Sequence, residues 1–145
     1  ILTLIVQSSS AMLGITIALA VAGTISFNTA AALVLGENIG TTITALLASV
    51  GTNANAKRAA AAHALFNLTG VLIMVTIFQW YVGFIDYLVP GDPNAMAPDG
   101  TKPAIAQHIA MVHTIFNVSA SIIFLPSVSL RCPVNLLIIL FSFLI

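Results

Sequence analysis

Two runs of polar residues sit inside otherwise apolar sequence, and their types suggest ion chemistry. Gln7-Ser8-Ser9-Ser10 puts an amide and three hydroxyls in consecutive positions. On a continuous helix such neighbours point about 100° apart, so some would face lipid; an unwound run can turn several inward. If a half-helix starts at Ala11, the serines lie at its N-terminus, where free N–H groups and the helix dipole favour an anion. The plainer alternative, each Ser bonding back to a helix carbonyl, explains one serine better than three after a Gln. The second run is Gly36-Glu37-Asn38-Ile39-Gly40-Thr41-Thr42. Asn38, Thr41 and Thr42 carry neutral oxygens of the kind a sodium ion accepts, and N–H and O–H groups that suit an oxyanion. Gly36 and Gly40 would permit positive φ and a close approach of backbone to ligand. They also spell GxxxG, a helix-packing pattern, which is the weaker reading with Asn38 between them. Glu37 is the sole charge in the first 56 residues. A carboxylate at membrane depth is costly and by default marks function, the alternative being a place in a water-filled vestibule.

A third pattern repeats. His63-Ala64-Leu65-Phe66-Asn67 recurs as His113-Thr114-Ile115-Phe116-Asn117, with His and Asn four apart on one helix face in both copies. The first reading of each is a polar pair bonding neighbouring helices, with direct ligation second. His108 stands alone and reads as interfacial. Other signals fall away. The sequons at Asn67 and Asn117 lie inside apolar spans. No G-x-S-x-G elbow, Walker loop or Cys/His metal spacing occurs, so no catalytic residue, cofactor or resident metal is expected.

Of the 145 residues 59% are hydrophobic and 6% charged, with net charge zero. A soluble domain carries about 25% charged residues. Eight charges cannot clothe a surface in water, which excludes a cytosolic enzyme and a nucleic-acid binder. The chain is an all-α integral membrane protein, a single domain over 1–145. Its one cysteine, Cys132, excludes a disulfide within the chain. Beginning inside an apolar run, the chain reads as an internal piece of a longer protein.

Residues 1–56 hold the polar runs between apolar pieces of half-membrane length: Ala11 to Ala22, Thr29 to Leu35 and Ile43 to Val50. Short, polar-interrupted hydrophobic segments point to a transporter's binding site, and re-entrant or broken half-helices are expected at both runs. A transmembrane helix is expected over 57–89, its far end lying along the interface with Trp80, Tyr81 and Tyr87. Residues 90–104, with four prolines from Pro90 to Pro103, form a loop in water. A second transmembrane helix spans 105–126, and 127–145 is an apolar tail without an assigned role. With half-helices counted, three to four transmembrane helices are expected. Lys57, Arg58 and Arg131 mark the cytoplasmic side and the Pro-rich loop the external one. The antiparallel placement of the two His–Asn copies is what inverted repeats produce.

At these motifs the chain resembles the bacterial members of the sodium-dependent phosphate cotransporter (Na/Pi, type II) family. The resemblance rests on QSSSA at Gln7–Ala11, GENIGTTITALLAS at Gly36–Ser49, NAKRAAAAHALFNLTGVL at Asn55–Leu72 and HTIFNV from His113, and covers about 1–126. It implies sodium-coupled phosphate transport across the bacterial inner membrane by alternating access, with sodium as coupling ion. It implies that Gln7, Ser8, Ser9 and Ser10 line the site, joined by Asn38, Gly40, Thr41 and Thr42. Glu37, His63, Asn67, His113 and Asn117 are secondary candidates. The family carries each motif in two inverted repeats, and here each occurs once. The chain therefore corresponds to the second-repeat half, the first repeat being missing or supplied by a second chain. The position of Glu37 usually holds a small residue in this family. The alternatives are a transporter or channel for another anion, and a non-transporting membrane scaffold or phosphate sensor.

Overall fold

Six helices account for the computed structural model, which describes residues 2–129 and, from residue 125 on, no side chains. They are α1 (Leu2–Val6), α2 (Ser9–Val21), α3 (Phe27–Ser49), α4 (Ala54–Thr76), α5 (Phe78–Leu88) and α6 (Ile105–Ser129). Among the described residues there is no strand. Residues 27–49, 54–76 and 105–124 are long and apolar enough to cross a membrane. The fold is that of an all-α membrane protein. Arg131, Cys132 and most of the apolar tail lie outside the described residues.

Local chemistry sets the helix ends. Ser8, Ser26 and Asn53 are N-caps, their side-chain oxygens accepting from the backbone N–H groups of Ala11, Thr29 and Ala56. At the other end of α2, Gly23 adopts φ +74°, which a glycine tolerates without strain. Its N–H bonds the carbonyl of Ala20, and Thr24 N–H bonds that of Leu19, satisfying carbonyls the helix leaves open. The chain then turns straight into α3.

Helix α3 is the centre of the packing, lying against α1, α2, α4 and α6. Phe27, Ala30, Ala31, Val34 and Leu35 of α3 form the core with Ile105, Ile109, Val112 and Phe116 of α6 and Val71 and Met74 of α4. The helices come close where side chains are small: Gly70 on α4 faces the Phe116 ring and Ala120 on α6. Across the α2–α3 end of the bundle lies the Pro-rich loop. Asn94 Oδ1 accepts from Phe27 N–H, and Lys102 N–H donates to the carbonyl of Val21. Within the loop, the hydroxyl and amide of Thr101 both donate to Asp99 and hold its carboxyl below the ordinary carboxylate range.

Four expectations are corrected. The GENIGTT run is not unwound: α3 passes through it without a break. The stretch expected as one helix over 57–89 is two, since the chain kinks at Ile77 between α4 and α5, and Lys57 and Arg58 lie inside the first turns of α4. Tyr81 is not interfacial but buried, its hydroxyl donating to the carbonyl of Val112, whereas Trp80 and Tyr87 are exposed. His108 is not interfacial either, being 0% exposed.

Candidate functional site

The break at Gln7-Ser8 is where sequence and structure agree most closely. Gln7 has φ +55°, a left-handed conformation that costs a non-glycine residue roughly 1–3 kcal/mol and persists only when its surroundings enforce it. Its N–H is still bonded to the carbonyl of Thr3. Ser8 is extended and caps α2, its Oγ accepting from Ala11 N–H and lying 3.4 Å from Ser10 Oγ. Ser9 and Ser10 open α2, so their N–H groups belong to the first turn, which has no intrahelical acceptor. Gln7 and Ser10 are exposed and Ser8 and Ser9 half-buried.

Depth follows from helix rise. From Ser9 to Val21 and back from Phe27 to Thr41, each arm of the α2–α3 hairpin runs about 20 Å at 1.5 Å per residue. The break thus lands level with Thr41. A cleft of about 620 Å3 joins them, lined by Leu4 and Gln7 on one side and Thr41, Ile43, Thr44, Ala45, Leu47 and Ala48 on the other. What holds α1 at this level is Gly40. A Cβ there would come 2.5 Å from Thr3 Cβ, so only a bare glycine lets α1 sit so close. Helical packing, not positive φ, is therefore the role of Gly40; Gly36 is likewise helical and has no neighbour within 4 Å of where its Cβ would be.

The polar side chains of α3 explain why it stays helical. Thr41 Oγ1 donates to the carbonyl of Glu37 (2.8 Å), Thr42 Oγ1 to that of Ile39 (2.7 Å) and Thr44 Oγ1 to that of Thr41 (2.7 Å). Asn38 Nδ2 donates to the carbonyl of Val34 at 2.9 Å. Each group is satisfied by its own helix, so unwinding would gain nothing. The same geometry has a chemical meaning at the cleft. A hydroxyl whose proton is committed to a carbonyl keeps its lone pairs, so Thr41 and Thr44 offer acceptor oxygens suited to a hard cation. Ser8, Ser9 and Ser10 follow Gln7 in the chain but do not line the cleft; their hydroxyls and the first-turn N–H groups of α2 are of the kind that suits an anion.

Not every expected residue meets the cleft. Thr42 points instead into an apolar cavity of about 200 Å3 shared with Ile39, Leu46, Ala64 and Leu68. Glu37 is 5% exposed and faces α2, where Thr16 Oγ1 donates to its Oε1 at 2.7 Å. It does not stand in an open vestibule. The two His–Asn pairs do not bridge helices. Asn117 Nδ2 bonds back to the carbonyl of His113 (2.8 Å) and lies 3.3 Å from its Nε2, all within α6. His63 is exposed and Asn67 buried, and among the described residues no hydrogen bond joins them. Thr16 and Thr44 are the residues that sequence reasoning passed over. Thr44 was signalled by its spacing, three after Thr41 on one helix face. Thr16 carried no signal.

The sequence that builds this arrangement has relatives. The Na+/Pi-cotransporter family model matches residues 1–85. The uncharacterized protein YqeW of Bacillus subtilis (strain 168) is 38% identical over 130 residues, covering 90% of this chain and 38% of that protein. The sodium-dependent phosphate transport protein 2C of Homo sapiens is 41% identical over 85 residues, 56% of this chain and 13% of that protein. Protein 2B of Homo sapiens is 40% identical over 84 residues, 55% and 11%. The chain thus spans about two fifths of the bacterial relative and a much smaller share of the human ones. No solved structure matches it. With the family model covering more than half of its residues, the chain belongs to the Na+/Pi-cotransporter family.

Proposed function

We propose that these residues form one half of a sodium-coupled phosphate transport site working by alternating access. The observation that carries the reading is that Gln7, at a strained helix break, shares one cleft with Thr41 and Thr44. In this reading the Gln7 amide oxygen and the Thr41 and Thr44 hydroxyl oxygens take sodium. Ser8, Ser9 and Ser10, with the first-turn N–H groups of α2, take phosphate. Gly40 seats α1 beside them, while Asn38 and Thr42 stay bonded within α3 and support its helical path. A site of neutral oxygens and N–H groups holds the pair best when both ions are present, because each then offsets the other's charge in a medium of low dielectric. That linkage is what couples the two fluxes. The remaining contacts come from outside these residues, from another segment or a second chain. Lys57 and Arg58 face the cytoplasm and the Pro-rich loop the exterior. The names of the human relatives suggest the ions, and the cleft together with the adjoining start of α2 offers chemistry that suits them.

The test is uptake of labelled phosphate by the full-length protein in proteoliposomes. Sodium-dependent uptake is expected, competed by phosphate far better than by sulfate. Ser9→Ala with Ser10→Ala should reduce it by tenfold or more, on the order of 1.4 kcal/mol or more of lost transition-state binding. Thr41→Val with Thr44→Val should raise the sodium concentration needed for half-maximal rate. Wild-type kinetics in both variants would remove the site assignment, and equal competition by sulfate would replace phosphate with a broader class of oxyanion.

A further inference from the structure

His108 and Asp86 meet at the loop-side end of the bundle, away from the cleft. His108 lies in the first turn of α6 and is 0% exposed; Asp86, near the end of α5, has a side chain 54% exposed. The imidazole is fixed on two sides. It packs edge-to-face with the Phe27 ring of α3, centroids 5.4 Å apart at 75°. Its Nδ1 lies 2.9 Å from the carbonyl of Ala104. A carbonyl can only accept, so Nδ1 carries the hydrogen, and in a neutral ring Nε2 is then a bare lone pair. Nε2 faces Asp86 Oδ1 at 3.4 Å, within ion-pair reach but without hydrogen-bond alignment, and it is a buried nitrogen with no hydrogen-bond partner among the described residues. Two lone pairs therefore confront each other. The contact becomes attractive only when one more proton sits between them.

We propose that His108 and Asp86 form a proton-binding clasp that fastens α5 to α6 under the Pro-rich loop. With the proton bound, imidazolium and carboxylate make a neutral pair joined by a charge-assisted bond, and α6 is tied to the end of α5. Without it, the half-exposed Asp86 side chain turns to water, leaving Nε2 free and the joint loose. The sign follows from the geometry: the clasp is closed in acid, where the proton is bound, and open in base, where it is not. Other charges around the joint are few. Helix α2 carries no ionisable side chain, and on α3 the only one is Glu37, ten residues beyond Phe27. On α4 they are Lys57, Arg58 and His63, within its first ten residues. On α5 Tyr81 is committed to Val112 and Tyr87 is exposed. On α6 itself there is also His113, next to its own Asn117. In the loop, Asp92 and Asp99 bond their own turns, and Lys102 is buried. Among the described residues, none of these makes an ion pair with either member.

The clasp can be read without any transport measurement, by hydrogen–deuterium exchange on the purified full-length protein at pH 5.5 and 8.0. Rates are converted to protection factors to remove the intrinsic effect of pH. Amides at the end of α5 and in the first two turns of α6 should be about tenfold better protected at pH 5.5, a typical yield of one charge-assisted bond. Asp86→Asn, a change on the exposed side that leaves the core untouched, should abolish the difference, and His108→Gln should do the same. Equal protection at the two pH values in the wild type would overturn the proposal. So would a pH difference that survives in Asp86→Asn, whether or not His108→Gln folds.

Discussion

Glu37 has traded a charge partner for a single hydroxyl. Thr16 donates to it from α2, and among the described residues no basic group comes within ion-pair distance. A buried acceptor that loses its donor bears the full cost of desolvation, whereas losing both partners together costs much less. Thr16→Val keeps the shape and removes the donor, and should lower stability by about 1–3 kcal/mol in thermal unfolding of the full-length protein. Glu37→Leu combined with Thr16→Val should cost less than the sum of the two single changes. An additive result would mean that the bond contributes nothing. Glu37 could be singled out from sequence because a lone carboxyl in 56 residues is conspicuous. Thr16 could not, because one threonine in an apolar helix has the same appearance whether it meets lipid or a carboxyl. Pairing across 21 residues is a property of the fold.

At the scale of helices, the tight joint is between α1 and α3. Gly40→Ala would drive a methyl group against the Thr3 side chain, whose branched Cβ, fixed directly to α1, leaves little room to yield. Overpacking of this kind costs typically about 1–3 kcal/mol, and here it should fall on the seating of α1 rather than on α3 itself. A cysteine-reactive probe at Gln7→Cys should report the change as faster labelling in Gly40→Ala, reversed by adding Thr3→Gly. Unchanged labelling would show that α1 is held elsewhere. The break before α2 was legible, because a serine run followed by apolar residues is both a cap and an interruption. The continuity of α3 was not. Two glycines, a carboxyl and three oxygen-bearing side chains read as a gap. Yet threonines and asparagine close their own bonds within the helix, and Gly40 serves the neighbouring helix. The kink at Ile77 also escaped, since no Pro or Gly marks it.

For the whole molecule, composition alone indicated a membrane protein, because eight charges cannot sustain a surface in water. Their placement also anticipated the ends: the loop closes over the start of α3, and Lys57 and Arg58 follow its far end, about 35 Å away at 1.5 Å per residue. This sets up a topology test. In a Cys132→Ala background, Asp99→Cys in intact cells should react with a membrane-impermeant maleimide, and Lys57→Cys should react only after permeabilisation. The reverse pattern would turn the molecule over, and labelling of both from outside would end the span assignment. Which helix faces meet each other lay beyond the sequence. Small residues such as Ala61 and Gly70 are buried while Leu72 and Ile122 stand outside, so hydrophobicity does not sort inside from outside here as it does in water.

Helix α3 is engaged on several sides at once. Within six residues it turns Glu37 to α2, Gly40 to α1, Thr41 to the cleft and Thr42 toward α4. A rod gripped this way has little freedom to spin, because a rotation that improved one contact would spoil the other two. It is the stator of the assembly. In the transport cycle proposed above, the displacement that exposes the cleft first to one side and then to the other would be carried by parts other than α3. The strained elbow at Gln7, where the helical path is already broken, is the natural place for the rotor.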